Sequence, residues 1–201
     1  NSTDKTAEIA SSYPQVRVIL ETRKGTGNAR QTGNEHTHSE IVAFIDADTE
    51  IPEGWADVVE QTFNNHPNVV FLSGPYRYRK SKRYPVWLLN FIWSPAVLAY
   101  WLVGYVGNGG NSVMRKDALD RAGGHDRTYT FYGDDTDLAQ RLHGQGKTVW
   151  RNSFFIYTLS RRFDEAGIIS MSIKYVLNYW WPVLFHRPFN QFHKDIRVPN
   201  I

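Results

Sequence analysis

Two short apolar runs rich in β-branched and aromatic residues constrain this chain most: "IVAFI" (41–45) and "NVVFLSG" (68–74). A single helical pattern, from about Glu53 to Asn65, separates them. Runs of this length and composition read as strands buried on both faces, and the helix between them makes the unit a parallel crossover. A helix near 4–12, capped by Ser2, Thr3 or Asp4, and a strand "VRVIL" (16–20) are expected upstream. A Gly-punctuated turn and a helix to about His38 follow them. The expectation is an α/β domain built on a mostly parallel sheet flanked by helices. Ligands bind such sheets at the carboxyl ends of the strands.

At 201 residues the chain suits one domain with a substantial core. The absence of cysteine excludes a disulfide framework and thiolate metal sites, and a net charge of +3 is too mild to point to nucleic acid. Aromatic residues reach 14%, many of them in two late stretches.

Four stretches carry chemistry. In "FIDADTEIP", Asp46 and Asp48 leave the strand one residue apart, so both carboxylates reach one locus. Hard oxygen donors without Cys or His suit Mg²⁺ or Mn²⁺, completed by water and substrate phosphates. In "GDDTDLAQRL", Asp134 or Asp135 would cap a helix with Asp137 close behind; capping needs one carboxylate, which leaves another as a candidate general base. In "KGTGNARQTG", Gly25 and Gly27 with Lys24 and Arg30 present backbone N–H groups and cations suited to a diphosphate, although such turns are often only turns. In "YTLSRRF", Arg161 and Arg162 are a candidate phosphate clamp, with a solvated pair as the simpler alternative.

Taken in order, "NSTDKTAEIA", "KGTGNARQTGNEH", "IVAFIDADTEIPEGW", "GGNSVMRKDALDRAGGHD" and "FYGDDTDLAQRL" resemble the family 2 glycosyltransferases over about residues 1–146. The resemblance implies a GT-A, Rossmann-like nucleotide-diphospho-sugar transferase fold with C-terminal apolar and aromatic helices. It implies inverting transfer of a sugar from a nucleotide-diphosphate donor to a hydroxyl acceptor. Asp48 then becomes the main metal ligand, and Asp46 stands nearer the ribose or metal shell. Asp135 is the catalytic base with Asp134 beside it. Gly109, Gly110 and Asn111 line the acceptor and donor-sugar pocket, and Arg30 abuts the nucleotide. Two departures accompany it. The family's first strand and its acidic residue would precede Asn1, so the chain is expected to be an N-terminally truncated piece. The histidine that many relatives place after the base helix is missing near "FFIYTLSRR", where Tyr157 and Ser160 stand instead.

No repeat or low-complexity linker divides the chain. Residues 1–160 read as the catalytic unit, with an apolar helical insertion at about 84–106, and 161–201 as an amphipathic or apolar helix and tail. Residues 86–106 lack a formal charge over a length able to span a bilayer. A single crossing would separate Asp48 from Asp135, so an in-plane, re-entrant or packed helix is expected. Five cations, Arg77, Arg79, Lys80, Lys82 and Arg83, precede it, and 168–189 repeats the aromatic theme. The expectation is a peripheral or monotopic enzyme on the cytoplasmic face of a bacterial membrane, acting on a lipid-linked or membrane-proximal glycan in envelope polysaccharide synthesis. The alternatives are a nucleotidyltransferase on a related fold and a non-catalytic membrane-associated scaffold.

Overall fold

A computed structural model of the chain describes Ser2 and residues 4–189. Thr3, one of the candidate caps, and the polar tail from 190 lie outside the described residues. The N-cap position of α1 (Thr6–Ser11) is Lys5, and Asp4 just before it accepts the Thr6 N–H on Oδ1 at 3.0 Å. The expected strand at 16–20 does not form a ladder among the described residues; Val16, Val18 and Leu20 are exposed. β-branched residues favour a pleated, half-buried surface, and this segment has no such neighbour to complete one.

The remaining elements are α2 (Thr26–Glu35), β1 (Ile41–Ile45), β2 (Thr49–Glu50), α3 (Trp55–Asn65), β3 (Val69–Ser73), β4 (Tyr76–Tyr78), α4 (Val86–Phe91) and α5 (Ser94–Val103). After them come β5 (Asn111–Arg115), α6 (Lys116–Arg121), α7 (Asp134–His143), β6 (Lys147–Trp150), β7 (Ile156–Thr158), α8 (Arg161–Ala166) and α9 (Ile168–Phe185). The main sheet has the order β1-β5-β3-β6, with β3 and β6 parallel and β5 antiparallel to both its neighbours. Three strands therefore run the same way, as expected, and β5 is inserted in reverse. A second sheet, β2-β7-β4, lies alongside in sequence with the acidic turn.

β5 was the strand hardest to foresee, because Asn111, Ser112 and Arg115 make it look like a loop. Its polar groups are satisfied internally. Arg115 donates from Nε to the Val69 carbonyl at 3.0 Å and from Nη2 to the Phe63 carbonyl at 2.7 Å. The core lies on both faces of the sheet. Val70, Met114, Leu119, Leu138 and Leu142 pack on the α6–α7 side, and Trp55, Phe63, Leu72, Val113 and Ile156 on the α3 side. β3 is buried along its whole length, as its unbroken apolar sequence requires.

The uncharged stretch 86–106 is two helices that meet at Ile92 and Trp93, α4 and α5. By length and composition Val86–Val103 could cross a membrane. In the fold it lies between β4 and β5, and α9 packs along it: Leu89 meets Phe163 and Met171, and Ala99 joins the cluster that includes Tyr179 and Trp180.

Candidate active site

The reversed direction of β5 assembles the site. Ile45 at the end of β1 faces Asn111 at the start of β5, and Ser73 at the end of β3 faces Ser112. The carboxyl ends of β1 and β3 and the amino end of β5 are thus at one edge of the sheet. Asp46, the turn to Tyr76, and Gly109–Gly110 all leave from that edge.

Arg30, on α2, joins the two acidic motifs. Its Nη2 donates to Asp46 Oδ1 at 3.1 Å and its Nη1 to Asp134 Oδ2 at 2.5 Å. Burial would lower the guanidinium's pKa, but the carboxylates of Asp134 and Asp46 outweigh it and hold the charge firmly. Asp46 Oδ2 also accepts the Tyr76 hydroxyl at 2.7 Å. Burial and the Asp46 charge push the Tyr76 phenol well up, so it stays a donor. The three aspartates of the α7 first turn have separate partners. Asp134 takes Arg30 and is raised by burial against that opposing charge. Asp137 pairs with Arg141 at 2.6 Å, one helical turn on, which makes it structural. Asp135 accepts the Gly109 N–H at 3.1 Å and the Thr136 N–H at 2.8 Å, and it is pushed up to about 6, chiefly by desolvation and then by the Asp134 carboxylate.

The glycines are required by contact. A Cβ on Gly109 would strike the Arg30 guanidinium, and one on Gly110 would strike the Asp46 carboxylate and the Tyr76 hydroxyl. Asp46, Asp135 and the Gly109–Gly110 backbone therefore share one small volume. Asp48 stands further out, half-exposed, with its Oδ2 accepting Arg161 Nη2 at 2.7 Å. The two carboxylates of the acidic turn thus escape mutual repulsion through different guanidiniums, Arg30 for Asp46 and Arg161 for Asp48.

Several expected roles change. Asn111 is fully buried; its Oδ1 accepts the Trp55 indole N–H at 3.0 Å and its Nδ2 donates to the Phe154 carbonyl at 2.9 Å. Both ends of the amide hold the scaffold, so Asn111 does not line the pocket. Gly25 and Gly27 serve close packing, since Cβ atoms there would meet the backbone of Thr130 and of Tyr129 and Asp126. The Thr26 N–H at the start of α2 is turned to the Thr130 carbonyl at 3.0 Å. This turn is therefore built against the 126–130 loop rather than as a phosphate cradle, and Lys24 lies exposed beside it. Arg161 and Arg162 do not act as a pair: Arg161 reaches Asp48, while Arg162 lies over the Phe131 ring, 4.8 Å from its centroid. Tyr157 and Ser160 are engaged elsewhere, Tyr157 under Arg79 and Ser160 with Asp164.

Tyr76 was missed in the sequence. Its signal was available: it follows the last residue of β3 by three positions, at the strand end where ligands gather. Buried His125 was also missed. It lies edge-on to Phe44 with ring centroids 4.6 Å apart, and burial brings its pKa down to about 3.

Among the described residues no three His, Cys, Asp or Glu side chains form a ready metal cage. The donor chemistry nonetheless fits a hard cation. Asp48 offers a half-exposed carboxylate, and Mg²⁺ or Mn²⁺ commonly takes one or two carboxylates plus water and phosphate. Both oxygens of Asp46 are already engaged, so it fits the role of an orienting neighbour.

The family model for glycosyl transferase family 2 matches residues 1–123. The chain belongs to glycosyl transferase family 2. The solved structures that resemble this family 2 chain include a mannosyltransferase, PcManGT, from Pyrobaculum calidifontis in complex with GDP-Man and Mn²⁺, at 20% identity and a TM-score of 0.65. That match covers 91% of this chain and 52% of the other. Glucosyl-3-phosphoglycerate synthase from Mycobacterium tuberculosis, in complex with phosphoglyceric acid, matches at 19% identity and a TM-score of 0.59, over 89% of this chain and 65% of the other. TarS of S. aureus matches at 17% identity and a TM-score of 0.58, over 89% of this chain and 33% of the other. These likenesses establish the GT-A fold for the family 2 chain, which spans about a third to two thirds of the length of these structures. No curated protein matches the sequence.

Proposed function

We propose that the chain carries out inverting transfer of a sugar from a nucleotide-diphosphate donor to a hydroxyl acceptor, a lipid-linked or membrane-proximal glycan, with Asp135 as the base. The observation that carries this reading is the convergence of Asp46, Arg30, Asp134 and Asp135 around Gly109 and Gly110, where one carboxylate remains outside the guanidinium's grip. Family membership supports it, and so do the nucleotide-sugar complexes among proteins of the same fold.

The residues divide the chemistry. Asp135 removes the proton from the acceptor hydroxyl while that oxygen attacks the anomeric carbon from the face opposite the leaving group. A base that titrates near 6 is ionised at neutral pH and still basic enough to take the proton. Arg30 fixes Asp134 and Asp46 through its two hydrogen bonds and leaves Asp135, which it does not bond, as the group that takes the proton. The glycines let the sugar approach backbone where a side chain would block it. Asp48 would hold Mg²⁺ or Mn²⁺ directly, with Asp46 orienting beside it. Such an ion, when bound, neutralises charge developing on the departing diphosphate. Arg161 balances Asp48 and is placed to turn its guanidinium to a phosphate. Residues 1–160 would supply this machinery, joined by Arg161 from the start of α8, and the rest of 161–201 the packing helix and tail.

The test is incubation with a panel of nucleotide sugars and Mg²⁺ or Mn²⁺. Release of nucleoside diphosphate, abolished in Asp135→Asn with donor binding retained, is the expected result. Release of pyrophosphate would identify a nucleotidyltransferase, and unchanged turnover in the variant would remove Asp135 from the role of base.

A further inference from the structure

The three helices α4, α5 and α9 pack on one another and still leave much of their apolar surface outward. On α4 and α5, Trp87 is 71% exposed and Trp101 81% exposed, with Phe91, Leu98 and Leu102 also outward. On α9, Ile169, Ile173, Val176, Leu184 and Phe185 are exposed. Only 11% of the segment Val86–Val103 is buried. A helix that is apolar all round belongs in a core or in lipid, and an apolar patch of this extent marks a surface that something covers.

We infer that this helical face lies in the interface of an anionic lipid bilayer, parallel to its plane. Charge complementarity selects that occupant. Neither 86–106 nor 168–185 contains an Asp or Glu. At the amino end of α4 stand exposed Arg79, Lys80, Lys82 and Arg83, and at the far end of α9 stands Arg187. Cations at a helix amino terminus oppose its dipole, so they do not serve α4 itself. Glu50 balances Arg79 at 2.7 Å, and Asp164 accepts the backbone N–H groups of Lys82 and Arg83. The side chains of Lys80, Lys82 and Arg83 are thereby presented to anionic headgroups. Trp and Tyr are the residues enriched at that depth.

The topology selects the in-plane orientation. β3 before the helices and β5 after them are hydrogen-bonded neighbours in one sheet. A crossing between them would put the two strands on opposite sides of the membrane. α5, with ten residues, is about 15 Å long, half of what a hydrocarbon core of about 30 Å demands.

The inference is independent of the transferase reading, and its test uses no donor. The full chain is sedimented with vesicles of phosphatidylcholine alone or mixed with phosphatidylglycerol, and Trp emission is recorded. Binding to the anionic vesicles with a blue shift, weakened by salt, is expected. The double variant Lys80→Glu/Lys82→Glu should lower partitioning by about thirtyfold or more, and Trp87→Ser/Trp101→Ser by about tenfold. All four positions are exposed, so the variants are expected to fold, which circular dichroism verifies. Absence of binding, or binding that neither variant weakens, would overturn the inference. So would a stable dimer whose interface covers Trp87 and Trp101.

Discussion

Replacing Asp135 by Asn should make the protein more stable while abolishing its activity. Asp135 stands at about 6 in the fold against an ordinary aspartate value of 3.8, because burial and the Asp134 carboxylate disfavour its charge. A raised acid of this kind stabilises the fold fully below the unfolded value. That contribution is lost as pH climbs through the folded value. The interval from 3.8 to about 6 corresponds to about 3 kcal/mol of lost stability at neutral pH. Asn keeps an oxygen for the Gly109 N–H, gives up the second acceptor that faces the Thr136 N–H and never ionises, so the variant should recover up to that amount. For a domain of this size the gain corresponds to about 6–12 °C in melting temperature. The assay is urea unfolding of both proteins from about pH 4 to pH 7.5. The two should coincide near pH 4, diverge through pH 6, and remain apart above it. Parallel curves, or a variant less stable at pH 7.5, would refute the claim that Asp135 is held against its own charge.

Three further outcomes follow from the geometry. Arg30→Met leaves Asp46 and Asp134 facing each other without their shared cation and should cost about 3–5 kcal/mol in urea unfolding, since breaking a buried pair strands a charge. His125→Phe should resist acid better than the wild type. The histidine at about 3 in the fold, against 6.5 ordinarily, gives stability above 6.5 that is lost as pH falls toward 3, so the variant should gain about 2–3 kcal/mol near pH 4.5, relative to its difference at pH 7.5. Asp48→Asn should weaken Mn²⁺ binding, read by paramagnetic relaxation in the presence of a nucleoside diphosphate, by at least about tenfold without lowering the melting temperature; unchanged Mn²⁺ affinity would move the metal site elsewhere.

β3 was legible because burial on both faces leaves only one kind of sequence, and β1 because of its β-branched and aromatic run, although only Val42 of it is buried. The acidic pair and the α7 aspartates were legible because they exceed what caps and turns require. β5 was hidden because its polar residues are paid for by partners distant in the chain, Trp55, Phe154, Phe63 and Val69. The same blindness led to Asn111 being placed in the pocket: no local pattern reveals that an amide is already occupied on both sides. Arg161 and Arg162 were read as one clamp because they are neighbours in sequence, whereas consecutive helical residues point apart, here to Asp48 and to the Phe131 ring. "VRVIL" failed for the opposite reason, since its local preference is that of a strand but a ladder needs a second chain segment.

Between the last residue of α5, Val103, and Gly109 lie only a few positions. Six residues of fully extended chain reach at most about 20 Å. On the interfacial placement proposed above, the surface that holds α5 would also fix the height of Gly109 and Asp135 over it. On that same proposal, an acceptor tethered to the surface by a short stem would meet Asp135 without further guidance, and one floating freely would gain nothing from the tether.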